Sequence, residues 1–172
     1  MYRIAIIGPE SSGKSTISRY ISKEYGAALV EEYAREYLLN LTKPSDYLME
    51  DLIEIANVQF DKFASIVSNN NKICISDTEM LTIKIWAEDK FNYCPNKVEE
   101  LFQKQYFDLF FLCKPDIEWE YDILREDKDR RDYIFSIYEN YCVKNKFKYT
   151  VIKGDTISRN NIIRNIFKTL NY

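Results

Sequence analysis

Gly8-Pro9-Glu10-Ser11-Ser12-Gly13-Lys14-Ser15 fits the pattern G-x-x-x-x-G-K-[ST], a loop that cradles phosphate through its backbone N–H groups. Gly8 and Gly13 permit the backbone geometry that turns those N–H groups toward phosphate oxygens. A helix starting at the end of the loop adds its positive dipole end to the same anion. In such a loop Lys14 reaches the β- and γ-phosphates and the Ser15 hydroxyl ligates magnesium. Glu10, Ser11, Ser12 and Thr16 belong to the same nucleotide-binding stretch; Glu10 either faces solvent or approaches an acceptor. A glycine-rich turn carrying an exposed lysine is the alternative, and the flanking sequence decides against it. Tyr2-Arg3-Ile4-Ala5-Ile6-Ile7 is an apolar, β-branched run of strand length. Ile17, Tyr20, Ile21 and Tyr25 follow at helical spacing. Strand, loop and helix stand in the required order, so the stretch reads as a nucleoside-triphosphate site that takes Mg2+.

Further candidates lie at the ends of other apolar runs. Asp77 closes Lys72-Ile73-Cys74-Ile75-Ser76-Asp77, where a P-loop protein places its second magnesium-organising carboxylate. Asp77 also suits removal of a proton from an acceptor hydroxyl; an acid that merely favours a helix N-terminus is the alternative. Glu32 and Arg35 follow Ala27-Ala28-Leu29-Val30 and are three apart, hence on one helical face. They read either as a surface ion pair, which contributes little, or as residues of the substrate pocket. The stretch from Lys114 to Asp132 is crowded with charge and includes Arg125, Arg130 and Arg131. It reads as a solvated loop or as a mobile lid bringing arginine to the transferring phosphoryl group. Trp119 inside it can stack on a flat ring or anchor the loop.

The elements that must position these residues alternate along the chain. After the first helix and the short second strand, Tyr33–Leu39 reads as helix, interrupted before Pro44. From Asp46 a longer helix carries Leu48, Leu52, Ile55, Ala56, Phe60, Phe63 and Val67 on one stripe. Asn69-Asn70-Asn71 signals a turn before the third strand. Thr78 is placed to cap the next helix, with Met80, Ile83 and Trp86/Ala87, and Pro95 opens a short one through about Gln105. Asp108–Cys113 is a fourth buried strand. Tyr133, Ile134, Ile137, Tyr138 and Tyr141 mark an amphipathic helix, Tyr149–Ile152 a fifth strand, and Ile163, Ile166, Phe167 and Leu170 a last helix. Strands alternating with helices predict an α/β, three-layer P-loop NTPase sandwich with a five-stranded parallel sheet. In such sheets ligands gather beyond the carboxyl ends of the strands. No linker or repeat divides the chain, so residues 1–172 read as one domain with a lid, helical and charged, at 114–132.

Composition bounds the partners. A net charge of −3 argues against general nucleic-acid binding, while leaving a small anionic ligand to the loop. There is no histidine, which removes histidine bases, histidine metal sites and serine–histidine triads. Cys74, Cys94, Cys113 and Cys142 form no C-x-x-C pair and no metal-ligand spacing. Without a leader or a long apolar span, the expectation is a cytoplasmic protein with a small-molecule partner and no membrane.

Gly8–Thr16, Glu32-Tyr33-Ala34-Arg35-Glu36-Tyr37 and Ser76-Asp77-Thr78, with Phe107-Asp108-Leu109 through Pro115-Asp116-Ile117-Glu118-Trp119 and Arg125, resemble the ribosylnicotinamide kinase domain of NadR-like proteins. The resemblance implies phosphoryl transfer from ATP to the 5′-hydroxyl of nicotinamide riboside, giving nicotinamide mononucleotide for NAD salvage. It implies that Lys14 and Ser15 hold ATP and magnesium and that Asp77 or Glu32 activates the hydroxyl. Arg35 and Arg125 become candidates for phosphate or ribose contacts, and Trp119 for the nicotinamide ring. The bifunctional members carry a preceding adenylyltransferase domain with a histidine-bearing motif. This sequence, with its P-loop strand at residue 2 and no histidine, is expected to lack that activity and any DNA-binding module. Deoxynucleoside and nucleoside-monophosphate kinases share the loop, the carboxylate and the arginine lid, and stand as the nearest alternative. A nucleotide-hydrolysing switch is a further one, although no N-K-x-D motif is present. A nucleotide-binding structural subunit is the last.

Overall fold

In the computed structural model, which describes residues 1–69 and 71–171, five parallel strands form one sheet in the order β2-β3-β1-β4-β5. They are β1 (Tyr2–Ile7), β2 (Ala28–Val30), β3 (Ile73–Asp77), β4 (Leu109–Cys113) and β5 (Tyr149–Ile152). The helices are α1 (Lys14–Tyr25), α2 (Tyr33–Leu39), α3 (Met49–Ser68), α4 (Met80–Phe91), α5 (Asn96–Lys104), α6 (Arg131–Lys144) and α7 (Thr156–Thr169). Period-2 alternation in the strands divides the core. Ile4 and Ile6 of β1 pack with Ile17 and Ile21 of α1 and Ile163 and Phe167 of α7. Ala5 and Ile7 face the opposite layer, where Phe63, Leu81, Ile85, Ile134 and Tyr138 gather from α3, α4 and α6. Both sheet faces are thus covered, as all-parallel sheets require.

Register sets the site. Ile6 pairs with Asp77 and Ile7 with Leu112, so the phosphate loop leaves β1 between the ends of β3 and β4. Because the topology reverses on either side of β1, the loop stands at the switch point of the sheet.

Three boundaries differ from the sequence expectation. The long helix begins at Met49, preceded by a separate 3-10 turn at Pro44–Asp46. Thr78 does not cap α4: it has φ 71°, and Glu79 takes the role, accepting from the N–H groups of Leu81 at 2.6 Å and Thr82 at 2.9 Å. A carboxylate reaches further than a hydroxyl, so the cap moves one residue on and Thr78 forms the bend. The charged segment is irregular up to Arg131, where α6 starts, so no helix lies within its first part. The expected turn at Asn69–Asn71 includes Asn70, which lies outside the described residues. Among those described, no helix is long and apolar enough to cross a membrane.

Glu79 is 1% exposed, and burial pushes its carboxyl up to about 7 against the pull of its N–H partners. A raised folded pKa contributes stability fully present below the unfolded value near 4.5 and lost as pH rises through 7. Wild type should therefore gain stability relative to Glu79→Gln, by up to about 3 kcal/mol, as pH falls from 7 to 4.5. Urea melts of both proteins across that range check this; a stability difference independent of pH would refute it.

Candidate active site

At the turn out of β1, Ser12 Oγ donates to the Pro9 carbonyl at 2.7 Å, tightening the loop. Lys14 Nζ, at the first residue of α1, donates to the carbonyls of Gly8 at 2.9 Å and Pro9 at 2.8 Å. The ammonium therefore lies across the loop mouth. Gly8 is pressed against β4: a Cβ there would stand 2.6 Å from the Cys113 carbonyl oxygen.

Asp77 leaves β3 almost fully buried, and Ser18 Oγ of α1 donates to its Oδ2 at 3.2 Å. Its Oδ1 is buried without a hydrogen-bond partner, which is costly for a carboxylate unless another ligand uses that oxygen. Glu32 stands just before α2, two residues past β2, and its side chain makes no capping hydrogen bond. Burial raises its carboxyl above the ordinary value; Lys14 opposes this and Asp77 reinforces it. Gln59, fully buried on α3, fixes the two strand ends together. Its Oε1 accepts from the Tyr33 N–H at 2.8 Å, and its Nε2 donates to the Glu31 and Thr78 carbonyls at 3.3 and 3.2 Å.

Lys14, Ser15, Thr16 and Glu32 line one cleft of about 640 Å³, which continues between α2, α4 and the charged segment. Its lining also includes Leu38, Tyr47, Trp86, Asp89 and Lys90. Lys90 Nζ lies 3.5 Å from the Tyr47 ring centroid and donates to the Ser45 carbonyl.

The charged segment is fastened over this cleft. Glu10 accepts from the N–H groups of Glu126 at 3.1 Å and Asp127 at 2.5 Å; burial raises its carboxyl while these bonds act the other way. Ser11 Oγ accepts from Glu120 N–H at 3.1 Å and from Arg125 Nη1 at 3.5 Å. Arg130 pairs with Asp89 on α4 and with Asp127.

The expected substrate-contact residues divide. Arg35 lines the cleft but its guanidinium pairs with Asp122 of the charged segment at 2.7 Å, holding that carboxyl below its usual range. Arg125 also lines the cleft and donates to the Glu120 carbonyl. Trp119 is not among the cleft-lining residues; Arg131 lies over its ring at 5.5 Å, the loop-anchoring alternative. Aromatic lining comes from Tyr47, which the sequence reading places without a role inside the helix expected from Asp46, and from Trp86, which it places on a helix stripe. Trp86 carried one legible signal: α4 is apolar around most of its circumference, more than one buried face needs. Gln59 carried none.

The sequence matches the model of a family described as an AAA domain over residues 3–159. The chain belongs to that family. Within this AAA-domain family, it resembles the kinase region of NadR. It is 30% identical over 129 residues to the trifunctional NAD biosynthesis/regulator protein NadR of Salmonella typhimurium, covering 71% of this chain and 30% of that protein. The NadR of Escherichia coli is 29% identical over 140 residues, with coverages of 76% and 33%. This AAA-domain chain thus spans about a third of the length of the curated relatives it matches. A crystal structure of NadR in complex with NAD and AMP-PNP superposes with a TM-score of 0.75 at 21% identity, over 97% of this chain and 49% of that one. Deoxyadenosine kinase from M. mycoides, with products bound, gives a TM-score of 0.69 at 19% identity, over 97% and 99%. The fold is that of P-loop nucleoside and nucleotide kinases.

Proposed function

We propose that this chain transfers the γ-phosphoryl group of ATP to the 5′-hydroxyl of nicotinamide riboside, giving nicotinamide mononucleotide. The observation that carries the reading is one cleft whose lining joins Lys14 and Ser15, Glu32, and the aromatic rings of Tyr47 and Trp86. That set suits a triphosphate, a hydroxyl to be deprotonated, and a flat ring. The NadR likeness supports the pyridine nucleoside as the acceptor.

The donor set fits magnesium-ATP. Ser15 offers a hydroxyl and Asp77 a buried carboxylate oxygen with no other partner, the hard oxygens such an ion prefers. Among the described residues no three acidic, cysteine or histidine side chains cluster for a metal, consistent with an ion held largely by phosphate and water. When bound, magnesium supplies charge neutralisation to the triphosphate. Lys14, leaving the Gly8 and Pro9 carbonyls, neutralises phosphate oxygens at the loop. Glu32 takes the proton of the acceptor hydroxyl, because it lines the cleft and its basicity is raised above that of an ordinary glutamate. Asp77, set back behind Ser18, organises rather than abstracts. The charged segment, with Arg125, excludes water and opens to exchange nucleotide.

The test is transfer of γ-labelled phosphate, with magnesium, to a panel of nicotinamide riboside, each deoxynucleoside, each nucleoside monophosphate and no acceptor. Label should move to nicotinamide riboside and fall at least about a hundredfold in Lys14→Met. The superposition on deoxyadenosine kinase over nearly its entire chain makes a deoxynucleoside the second acceptor class; label there instead would overturn the substrate assignment. Release of free phosphate alone, whatever the acceptor, would favour a hydrolysing switch.

A further inference from the structure

Arg159, on the first turn of α7, is 5% exposed and had no part in the sequence-derived site. Its guanidinium touches three separate segments. Nε donates to the Gly154 carbonyl after β5 at 2.8 Å, and Nη1 to the Ser12 carbonyl in the phosphate loop at 2.6 Å. Nη2 donates to the Lys114 carbonyl at 2.7 Å and to Asp116 Oδ1 at 2.5 Å, where the chain leaves β4. Asp116 Oδ2 in turn accepts from the Gly154 N–H at 2.8 Å.

We infer that Arg159 is a positioning residue for triphosphate binding: by holding the Ser12 carbonyl it aims the Gly13 N–H into the phosphate cradle. The peptide plane makes this mechanical. A trans peptide puts the Ser12 C=O and the Gly13 N–H on opposite sides of one rigid unit, so fixing the first outward points the second inward. That N–H belongs to the loop whose donors bind phosphate. A Cβ on Gly13 would sit 3.2 Å from Arg159 Nη1, so the glycine also lets the guanidinium come this near. Four N–H bonds from one rigid planar fork explain why arginine stands here, since a lysine ammonium has three donors and no fork. The same guanidinium holds Lys114 and Asp116, so the phosphate loop and the entrance to the charged segment share one anchor.

The inference rests on the reading of the loop as a triphosphate site, and on nothing about the acceptor. Calorimetric titrations of Arg159→Lys and Arg159→Ala with ATP, with tripolyphosphate as a base-free probe and with adenosine as a phosphate-free probe test it. ATP and tripolyphosphate should each bind about tenfold or more weakly, the loss expected for a charge-assisted hydrogen bond. Adenosine affinity should stay within about twofold, and added guanidinium ion should restore part of the tripolyphosphate affinity of Arg159→Ala. KM for ATP should rise with little change in KM for the acceptor. Equal weakening of ATP and adenosine, or unchanged tripolyphosphate binding in folded variants, would overturn the assignment. If neither variant folds, Arg159 is a fold determinant and the assignment also falls. No titration contains nicotinamide riboside, and the tripolyphosphate titration contains no nucleoside at all, so failure of the nicotinamide riboside assay and failure here are separable.

Discussion

Glu32→Gln is expected to lower kcat for phosphoryl transfer by about 10²–10⁴-fold, the usual range for a lost general base, with KM for ATP little changed. Glutamine keeps the volume and the polarity of the side chain but takes no proton. The carboxyl is raised by burial, with Asp77 adding to the rise and Lys14 and Arg35 opposing it. A general base must be ionised, so wild-type kcat/KM should fall as pH drops through this raised value, above the 4.5 of an ordinary glutamate. The variant should lose that acid limb. Asp77→Asn removes a neighbouring negative charge, so in that variant the limb should shift to lower pH while residual activity depends more steeply on magnesium. A pH–rate profile of the three proteins checks all of this. If Glu32→Gln keeps both its kcat and its acid limb, Asp77 is the base.

The order of these elements was legible because each is written locally. The apolar run Tyr2–Ile7, the two loop glycines and the helical spacing of Ile17 and Ile21 specify strand, turn and helix over a short distance. Five parallel strands followed from alternation alone, and β5 is observed at the expected Tyr149–Ile152. What periodicity does not encode is contact across the sheet. Arg159 reaches Ser12 from 147 residues away, and Gln59 bridges the ends of β2 and β3 from the middle of α3. On a one-dimensional pattern each is a polar residue on a helix. Trp86 and Trp119 show the same limit. Both are tryptophans near candidate chemistry, and only the packing of α4 against the α2–α3 connection places Trp86 on the cleft. The charged segment misled in another way. Composition described its charge without its partners, and Glu10, Arg35 and Asp89 bind it from three different elements.

Gly8→Ala should be the most damaging small substitution in the chain. Gly8 has φ 136°, a conformation that side chains rarely adopt, but that strain is only part of the effect. The new Cβ would meet the Cys113 carbonyl oxygen at 2.6 Å and the Cys113 N at 3.3 Å. Both are backbone atoms of β4, a strand held on either side by β1 and β5, so no flexible side chain can give way. Either β1 and β4 separate at their ends or the loop is displaced. Displacing it moves the Gly8 carbonyl that receives Lys14 Nζ and the cradle beyond it. Gly26→Ala supplies the comparison: φ is 63° there, at the end of α1, and nothing lies within 4 Å of the added Cβ. Backbone strain alone should cost Gly26→Ala about 1 kcal/mol, or about 2–4 °C in Tm for a chain of this size. Gly8→Ala should lose more than about 3 kcal/mol and bind ATP at least about tenfold more weakly. Thermal melts and ATP titrations of the two variants decide the matter. Equal Tm losses would mean that strain is the whole effect and that the contact with Cys113 relaxes freely; a larger loss at Gly8 with intact ATP binding would mean that the strand ends part while the cradle survives.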